Sequence, residues 1–253
     1  MRTFISAIAL IALASPACAH FQEILPSEDV LPDGGKVTVD LIFTHPMERG
    51  PTMDMARPVR VGVAREKGVE DISGSLVEAP VDGKQAWRLE RDIAEPGAEV
   101  FFVEPKPYWE PAENKYIVHY AKVVVDGYAS GEGWDRLVGL PVEIAPLVRP
   151  TGLWTGNLFR AVVLKDGQPV PGAEIEVEWV NDGTVTPPNE AFITQVIKAD
   201  DMGVFSYAMP RAGWWGFAAL IDGPEAQSPD GKPASTELGA LMWVKTTDMG
   251  GAR

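Results

Sequence analysis

Residues 36–45 read KVTVDLIFTH, and this stretch decides the fold class. Apolar and polar side chains alternate along it with a period of two, which is the pattern of a half-buried β-strand. The turn sequence DGG at 33–35 precedes the strand and Pro46 follows it, and both are ordinary strand boundaries. His45 continues the apolar side of the alternation, so the pattern places a histidine at the end of a core-facing row.

The same period recurs along the chain. Residues 116–125 (YIVHYAKVVV) alternate again, with His119 on the apolar side near the beginning of the strand. Residues 173–179 (AEIEVEW) predict a strand whose three glutamates all face solvent. The 22 prolines and 25 glycines stand between such short segments. Together these features predict an all-β chain.

We expect two successive β-sandwiches, of the immunoglobulin-like or transthyretin-like kind. A connector rich in glycine and proline, between Asp126 and Pro150, separates two series of strands. The predicted organisation is a signal peptide at 1–19, a first sandwich at 20–148, a second sandwich at 149–247 and a flexible tail at 248–253.

The N-terminal region has the layout of a cleaved secretory signal peptide. Arg2 is followed by an apolar run over 4–13 and by the small-x-small triplet Ala17-Cys18-Ala19. The run is too short for a permanent membrane span. Cleavage after Ala19 would make His20 the first residue of a periplasmic protein that has no stable membrane anchor in its mature chain.

The chain is acidic, with a formal net charge of -14 that becomes -15 once Arg2 is removed. The single cysteine, Cys18, is removed with it, so the mature chain forms neither a disulfide nor a thiolate metal site. An acidic surface argues against nucleic acid as a partner and favours cations.

The three histidines of the sequence, His20, His45 and His119, are the candidate metal ligands. After cleavage, His20 would carry a free α-amino group beside its imidazole, and both nitrogens can bind one divalent transition-metal ion. His45 and His119 end the apolar faces of two strands, which one sandwich can bring to the new N-terminus. Each ring alone also fits a buried histidine bonded to backbone, and chance can place a histidine after a cleavage site.

Further ligands stay open at this stage. Met47, Met53 and Met55 offer thioethers that favour copper, or they fill irregular gaps. Glu23 and Glu104 offer an oxygen ligand or orient a ring, or they are solvated surface. The sequence contains no phosphate-binding glycine loop, no nucleophile elbow and no His-Glu-x-x-His motif.

Two resemblances rest on particular stretches. The second sandwich resembles transthyretin-like or carboxypeptidase-regulatory-like domains through KDGQPVPGA (165–173) and DDMGVF (200–205).

Along nearly its whole length, the mature chain resembles a bacterial periplasmic family of nickel or cobalt uptake components. These accompany energy-coupling-factor or ATP-binding-cassette metal importers. The stretches that carry the second resemblance are AHFQ (19–22), FTHPM (43–47), VEPKPYWEP (103–111), IVHY (117–120) and GLWTGN (152–157).

The second resemblance implies a non-enzymatic protein that binds nickel or cobalt outside the cytoplasm and delivers the ion to a membrane importer. An N-terminal histidine beside a second histidine is also similar to the copper histidine brace of lytic polysaccharide monooxygenases. That alternative makes the protein a copper handler or a copper oxidoreductase, with Tyr116 or Tyr120 near an axial position. A metal-free adhesion or scaffolding module is the third hypothesis. Nickel, cobalt, copper and zinc are not separated by the sequence.

Overall fold

The computed structural model describes residues 20–250, and its secondary structure is almost entirely β. Within that range there is no α-helix, only 3-10 turns at Ser73–Ser75 and Glu190–Phe192. The predicted all-β class is therefore confirmed. No helix in the described range has the length and apolar character needed to cross a membrane. The predicted signal peptide, residues 1–19, and the end of the predicted tail, 251–253, lie outside the described residues.

Ten strands precede the connector and ten belong to it or follow it. The first ten are β1 (Phe21–Pro26), β2 (Val30–Leu31), β3 (Gly35–Thr44), β4 (Arg60–Arg65), β5 (Gly68–Asp71), β6 (Val77–Glu78), β7 (Trp87–Ile93), β8 (Gly97–Glu104), β9 (Tyr108–Glu110) and β10 (Lys115–Gly127). The others are β11 (Val142–Pro146), β12 (Leu153–Trp154), β13 (Leu158–Lys165), β14 (Gln168–Pro169), β15 (Glu174–Trp179), β16 (Gln195–Lys198), β17 (Val204–Ala208), β18 (Gly213–Asp222), β19 (Ala226–Gln227) and β20 (Pro233–Thr247).

A central sheet of twelve strands runs through both halves of the chain. Its main path is β16-β15-β18-β20-β10-β8-β4-β5. The strands β10 and β20 pair in parallel, from Lys115 opposite Ser235 to Val123 opposite Trp243. The last strand of the chain therefore joins the first half to the second by backbone hydrogen bonds.

Two smaller sheets cover opposite faces of the central one. The sheet β1-β3-β7-β6 encloses a core that contains Leu41, Phe101 and Trp243. The sheet built on β11, β13, β14 and β17 encloses a second core that contains Phe159 and Met242. The neighbours Met242 and Trp243 point into different cores because successive side chains of a strand alternate. The two expected sandwiches are present, and they share one sheet.

The two strands with candidate ligands follow the predicted alternation. On β3 and the residue after it, the apolar row predicted to face the core is buried throughout, His45 included. On β10 the row that contains His119 is buried as well. The members of the two rows are Val37, Val39, Leu41, Phe43 and His45 on the first strand and Ile117, His119, Ala121, Val123 and Val125 on the second.

One prediction about side-chain direction is wrong. Glu176 and Glu178 of β15 are 8% and 1% exposed, whereas Glu174 faces solvent as expected. At Glu178 the loop after β3 lies against this face of β15. Oε2 of Glu178 accepts a hydrogen bond from the backbone N–H of Met47 at 3.0 Å. The glutamates therefore face a covered surface rather than water.

Candidate metal centre

The pairing of β1 with β3 brings His20 beside His45. The strands are antiparallel, with Phe21 opposite Thr44, so the residue before β1 lies opposite the residue after β3. The ring centroids of His20 and His45 are 4.6 Å apart and the rings are tilted by 54°. Two of the three predicted ligands are thus in contact.

The short strand β9 supplies a carboxylate and a phenol to the same place. Nε2 of His20 is 3.3 Å from Oε2 of Glu110, and the ring of Tyr108 has its centroid 6.0 Å from that of His20. Since β9 pairs with the beginning of β10, the segment holds Tyr108 and Glu110 over the histidine pair. Trp109, between them, points away and contacts Tyr116 instead.

His119 joins the other histidines through the ring of Phe43. Phe43 has its centroid 5.6 Å from that of His20 and 6.1 Å from that of His119. Nε2 of His119 is 3.1 Å from Oε1 of Glu237 on β20. The Nδ1 atom of His119 is buried, and no residue in the range 20–250 is within hydrogen-bond distance of it.

Burial and charge keep the His20 ring neutral. The pKa of His20 falls from 6.5 to about 4, first because burial disfavours the imidazolium and then because His45 and His119 lie close. Burial alone would raise the pKa of Glu237, but the hydrogen bond from His119, with the hydrogen bond and charge of Lys115, lowers it to about 2. A neutral imidazole is the form of histidine that binds metal ions.

A cavity of about 50 Å³ lies between the two facing sheets, and His119, Phe43 and Tyr108 are among its lining residues. Gln22 and Met55 also line it, and Nε2 of Gln22 is 3.4 Å from the Met55 sulfur. The cavity therefore has imidazole, thioether and amide groups around it.

The structure places the remaining candidates in different surroundings. Met53 is buried in the same core as Met55, whereas Met47 belongs to the second core. Glu104 pairs with Arg60 at 2.6 Å. Glu23 lies on the face of β1 opposite Gln22, and its pKa is raised to about 8, first by burial and then by the charges of Glu178 and Asp40. Of the further candidate ligands Met47, Met53, Met55, Glu23 and Glu104, only Met55 lines the cavity beside His119.

Neither tyrosine of the copper-brace hypothesis is a neighbour of His20. Tyr116 contacts Trp109, and its hydroxyl donates to the backbone oxygen of Gln227 at 3.1 Å. Tyr120 packs against the second core. The tyrosine nearest to the histidine pair is Tyr108.

The histidine cluster is a set of neighbours rather than a finished coordination sphere. Over the described range 20–250, no three His, Cys, Asp or Glu side chains are grouped closely enough to hold a metal ion. The predicted cleavage, which would free the α-amino group of His20, falls at the edge of this range. An ion bound by all three rings needs them to rotate toward one point.

Three residues of the cluster were missed by sequence reasoning. Tyr108 and Glu110 lie two residues apart, so a strand reading of 108–110 would have placed them on one face. The prolines around them, Pro105, Pro107 and Pro111, are typical of a loop instead. Glu237 contacts His119 because β10 and β20 pair in parallel. No local sequence pattern predicts a contact between such distant segments.

The chain aligns with several solved structures at low identity and low TM-score. It aligns with Escherichia coli alpha-2-macroglobulin activated by porcine elastase at 12% identity and a TM-score of 0.27, over 89% of this chain and 20% of that one. It aligns with a titin fragment at 9% identity and a TM-score of 0.20, over 87% and 61%. It aligns with BcpA, the major pilin subunit of Bacillus cereus, at 12% identity and a TM-score of 0.21, over 90% and 66%. Such scores carry no argument about function.

At the level of sequence, no curated protein matches the chain. A family match is nevertheless clear and extends over most of the sequence, including all three histidines. Residues 17–223 match the family described as Domain of unknown function (DUF4198), and the chain therefore belongs to that family.

Proposed function

We propose that this protein binds a divalent transition-metal ion outside the cytoplasm, with nickel or cobalt as the best candidates, and delivers it to a membrane importer. The observation that carries the proposal is the meeting of every histidine in the sequence, His20, His45 and His119, within one cluster. They come from three separate segments. Chance scattering of three histidines over a protein surface does not produce such a cluster.

The chemistry of the cluster suits capture and release. Imidazole nitrogens bind nickel, cobalt, copper and zinc. Glu110 offers a carboxylate at the edge of the His20 ring, and cleavage before His20 would add an amine. No cysteine lies in the chain after residue 19, so no thiolate holds the ion tightly. Binding then draws the three rings together, and their separation on release returns the cluster to its described arrangement.

The choice of nickel or cobalt and the role of the importer do not come from the geometry of the cluster. Both come from the resemblance in the stretches around His20, His45 and His119, since the family description names no ion. The periplasmic location rests on the signal-peptide pattern of residues 1–19.

Calorimetric titration of the protein that begins at His20 tests the proposal. We expect one equivalent of Ni²⁺ or Co²⁺ to bind, and Glu110→Gln or His45→Ala to weaken binding at least about tenfold, which corresponds to about 1.4 kcal/mol. Glu90→Gln is the matched control, because Glu90 is an exposed carboxylate paired with Lys36. If the protein bound none of the four ions nickel, cobalt, copper and zinc, the result would favour the metal-free module.

Copper handling is the second candidate, and one observation favours it. The Met55 sulfur lies on the cavity that His119 also lines, and thioether ligands select Cu(I). Met55→Leu should then weaken Cu(I) binding and leave Ni²⁺ binding unchanged. A copper enzyme would in addition consume oxygen when reduced, and oxygen uptake by the copper-loaded protein separates it from a copper carrier.

A further inference from the structure

A chain of charged groups holds His119. Its Nε2 is 3.1 Å from Oε1 of Glu237, and Oε2 of Glu237 is 2.6 Å from Nζ of Lys115. Lys115 also contacts Glu113 at 2.6 Å. The side chains of His119 and Glu237 are 2% and 18% exposed, so their contact is largely removed from water.

This contact determines which nitrogen of His119 carries hydrogen. An ionised carboxylate only accepts hydrogen bonds, so Nε2 holds the hydrogen and donates it to Glu237. In the neutral ring Nδ1 then has a lone pair and no hydrogen. A second hydrogen on Nδ1 would be buried with no acceptor within reach in the described part of the chain, which is unfavourable.

The backbone of β20 fixes how the ring lies. A Cβ at Gly239 would be 2.3 Å from Cδ2 and 2.8 Å from Nε2 of His119, so this edge of the ring rests directly on the strand. Nδ1 is on the other edge. His119 also lines the cavity of about 50 Å³, which exceeds the roughly 15 Å³ that a water-sized occupant needs.

We propose that Glu237 is a positioning residue, which locks His119 in the Nε2–H tautomer and presents Nδ1 as the metal-binding atom. The inference rests on the proposed function, because it names the donor atom of the same site. A carboxylate that accepts a hydrogen bond from the distal nitrogen of a ligating histidine fixes the ring and strengthens it as a ligand. Lys115, through the second oxygen of Glu237, holds that carboxylate in place.

Nitrogen NMR of the metal-free protein that begins at His20 tests the tautomer directly. Long-range proton–nitrogen spectra distinguish a protonated from an unprotonated ring nitrogen, and with three histidines each ring is assigned by substitution. We expect a protonated Nε2 and an unprotonated Nδ1 for His119. In Glu237→Gln we expect both tautomers, because an amide accepts or donates. Glu113→Gln, which removes a carboxylate from Lys115 without touching His119, should keep the wild-type pattern.

A hydrogen on Nδ1 in the wild-type protein would overturn the inference, and so would an unchanged tautomer in Glu237→Gln. If the variant fails to fold, the wild-type spectrum alone still shows which nitrogen of His119 carries the hydrogen.

Zinc, a diamagnetic ion, separates this inference from the proposed function. On addition of Zn²⁺ we expect the Nδ1 resonance of His119 to move, and Glu237→Gln to lower zinc affinity about 10- to 100-fold. Movement at Nε2 in place of Nδ1 would overturn the inference. The expected tautomer with no zinc response at any histidine would support the role of Glu237 in fixing the ring and overturn the metal-binding function.

Discussion

The backbone N–H of Met47 donates a hydrogen bond to Oε2 of Glu178 at 3.0 Å, and this contact ties the loop after His45 to the second sandwich. Asn181 strengthens the connection. Its Nδ2 donates to the backbone oxygen of Met47 at 2.9 Å, and its own N–H donates to Pro46 at 3.2 Å. The placement of a candidate ligand in the first sandwich therefore depends on residues of the second.

Asn181→Ala should loosen this loop. The variant leaves buried carbonyl groups of Met47 and Val185 without their donor, so we expect a loss of about 1–3 kcal/mol in the free energy of unfolding. Amide hydrogen exchange at residues 47–50 should become faster, and metal affinity should fall. Gln227→Ala, at an exposed amide side chain, serves as control, and we expect a change within about 0.5 kcal/mol. Unchanged exchange in Asn181→Ala would show that Glu178 and the backbone N–H of residue 181 are sufficient to hold the loop.

Processing before His20 should strengthen metal binding. With a residue ahead of it, the nitrogen of His20 is an amide, which is a poor ligand, whereas cleavage turns it into an amine that can chelate together with the ring. We expect a protein with one extra residue before His20 to bind Ni²⁺ at least about tenfold more weakly than the protein that begins at His20. Calorimetry on the two forms measures the difference. Equal affinities of the two forms would mean that the α-amino group of His20 is not a ligand.

Gly239→Ala should displace the ring of His119. The added methyl would lie 2.3 Å from Cδ2 of that ring, closer than any van der Waals contact, so the ring must move and its contact with Glu237 is lost. We expect weaker metal binding and lower thermal stability. Gly74→Ala is the matched control, since no atom lies within 4 Å of the Cβ there. A crystal structure of Gly239→Ala with His119 in its original place would contradict this expectation.

We expect the stability of the protein to depend strongly on the buried ion pair between Lys122 and Glu143. Nζ and Oε1 are 2.6 Å apart and the side chains are 1% and 3% exposed. Glu143 also accepts hydrogen bonds from the backbone of Val138 and Gly139. Glu143→Ala leaves a buried ammonium group unpaired, and we expect it to lower the free energy of unfolding by about 3–5 kcal/mol.

The exposed pair between Lys36 and Glu90, at 3.0 Å, provides the comparison for that experiment. Glu90→Ala should cost far less than Glu143→Ala, because water solvates both partners of the exposed pair. Urea denaturation of the two variants measures the contrast. Similar losses in both would mean that water reaches Lys122.

The contribution of Glu23 to the free energy of unfolding should fall as the pH rises from about 4.5 to about 8. The pKa of Glu23 is raised from 4.5 to about 8, mainly by burial. Over that interval the unfolded chain releases the proton of Glu23 while the folded chain keeps it, so folding is progressively disfavoured. Below about pH 4.5 both states hold the proton, and above about pH 8 both have released it.

Glu23→Gln removes this dependence. We expect it to unfold at higher urea concentration than the wild-type protein at pH 8, with a gain of at least about 1 kcal/mol, since one pKa unit corresponds to 1.36 kcal/mol. At pH 4 the two proteins should be alike. Glu90→Gln, at an exposed site, should show no such pH-dependent gain. A gain of equal size at pH 4 would assign the effect to packing rather than to ionisation.

The parts of the fold that local sequence predicts are those with alternating side chains. The row that ends in His45 and the row from Ile117 to Val125 that contains His119 are buried as predicted. The same rule fails for Glu176 and Glu178, because it assumes one face of the strand to be open to water. At Glu178 a loop from another part of the chain covers that face, and the local pattern of β15 does not indicate this contact.

Contacts between distant segments set the rest of the candidate site. His20 meets His45 through the register of β1 on β3, which the sequence suggests only as one possibility. Glu237 reaches His119 through a parallel pairing, and the sequence holds no turn that would connect those two strands. The candidate ligands could therefore be named from the sequence, whereas the side chains that contact them depend on topology.

The shared central sheet also limits how the protein can be dissected. A fragment that ends at residue 148 keeps β10 but lacks β20, and the backbone from Lys115 to Val123 then has an open edge along its whole pairing with Ser235 to Trp243. Long open edges of this kind recruit other strands and lead to aggregation. Truncation would thus expose the edge of a strand that is internal in the whole protein, so we expect the two sandwiches to be stable only when they are produced as one chain.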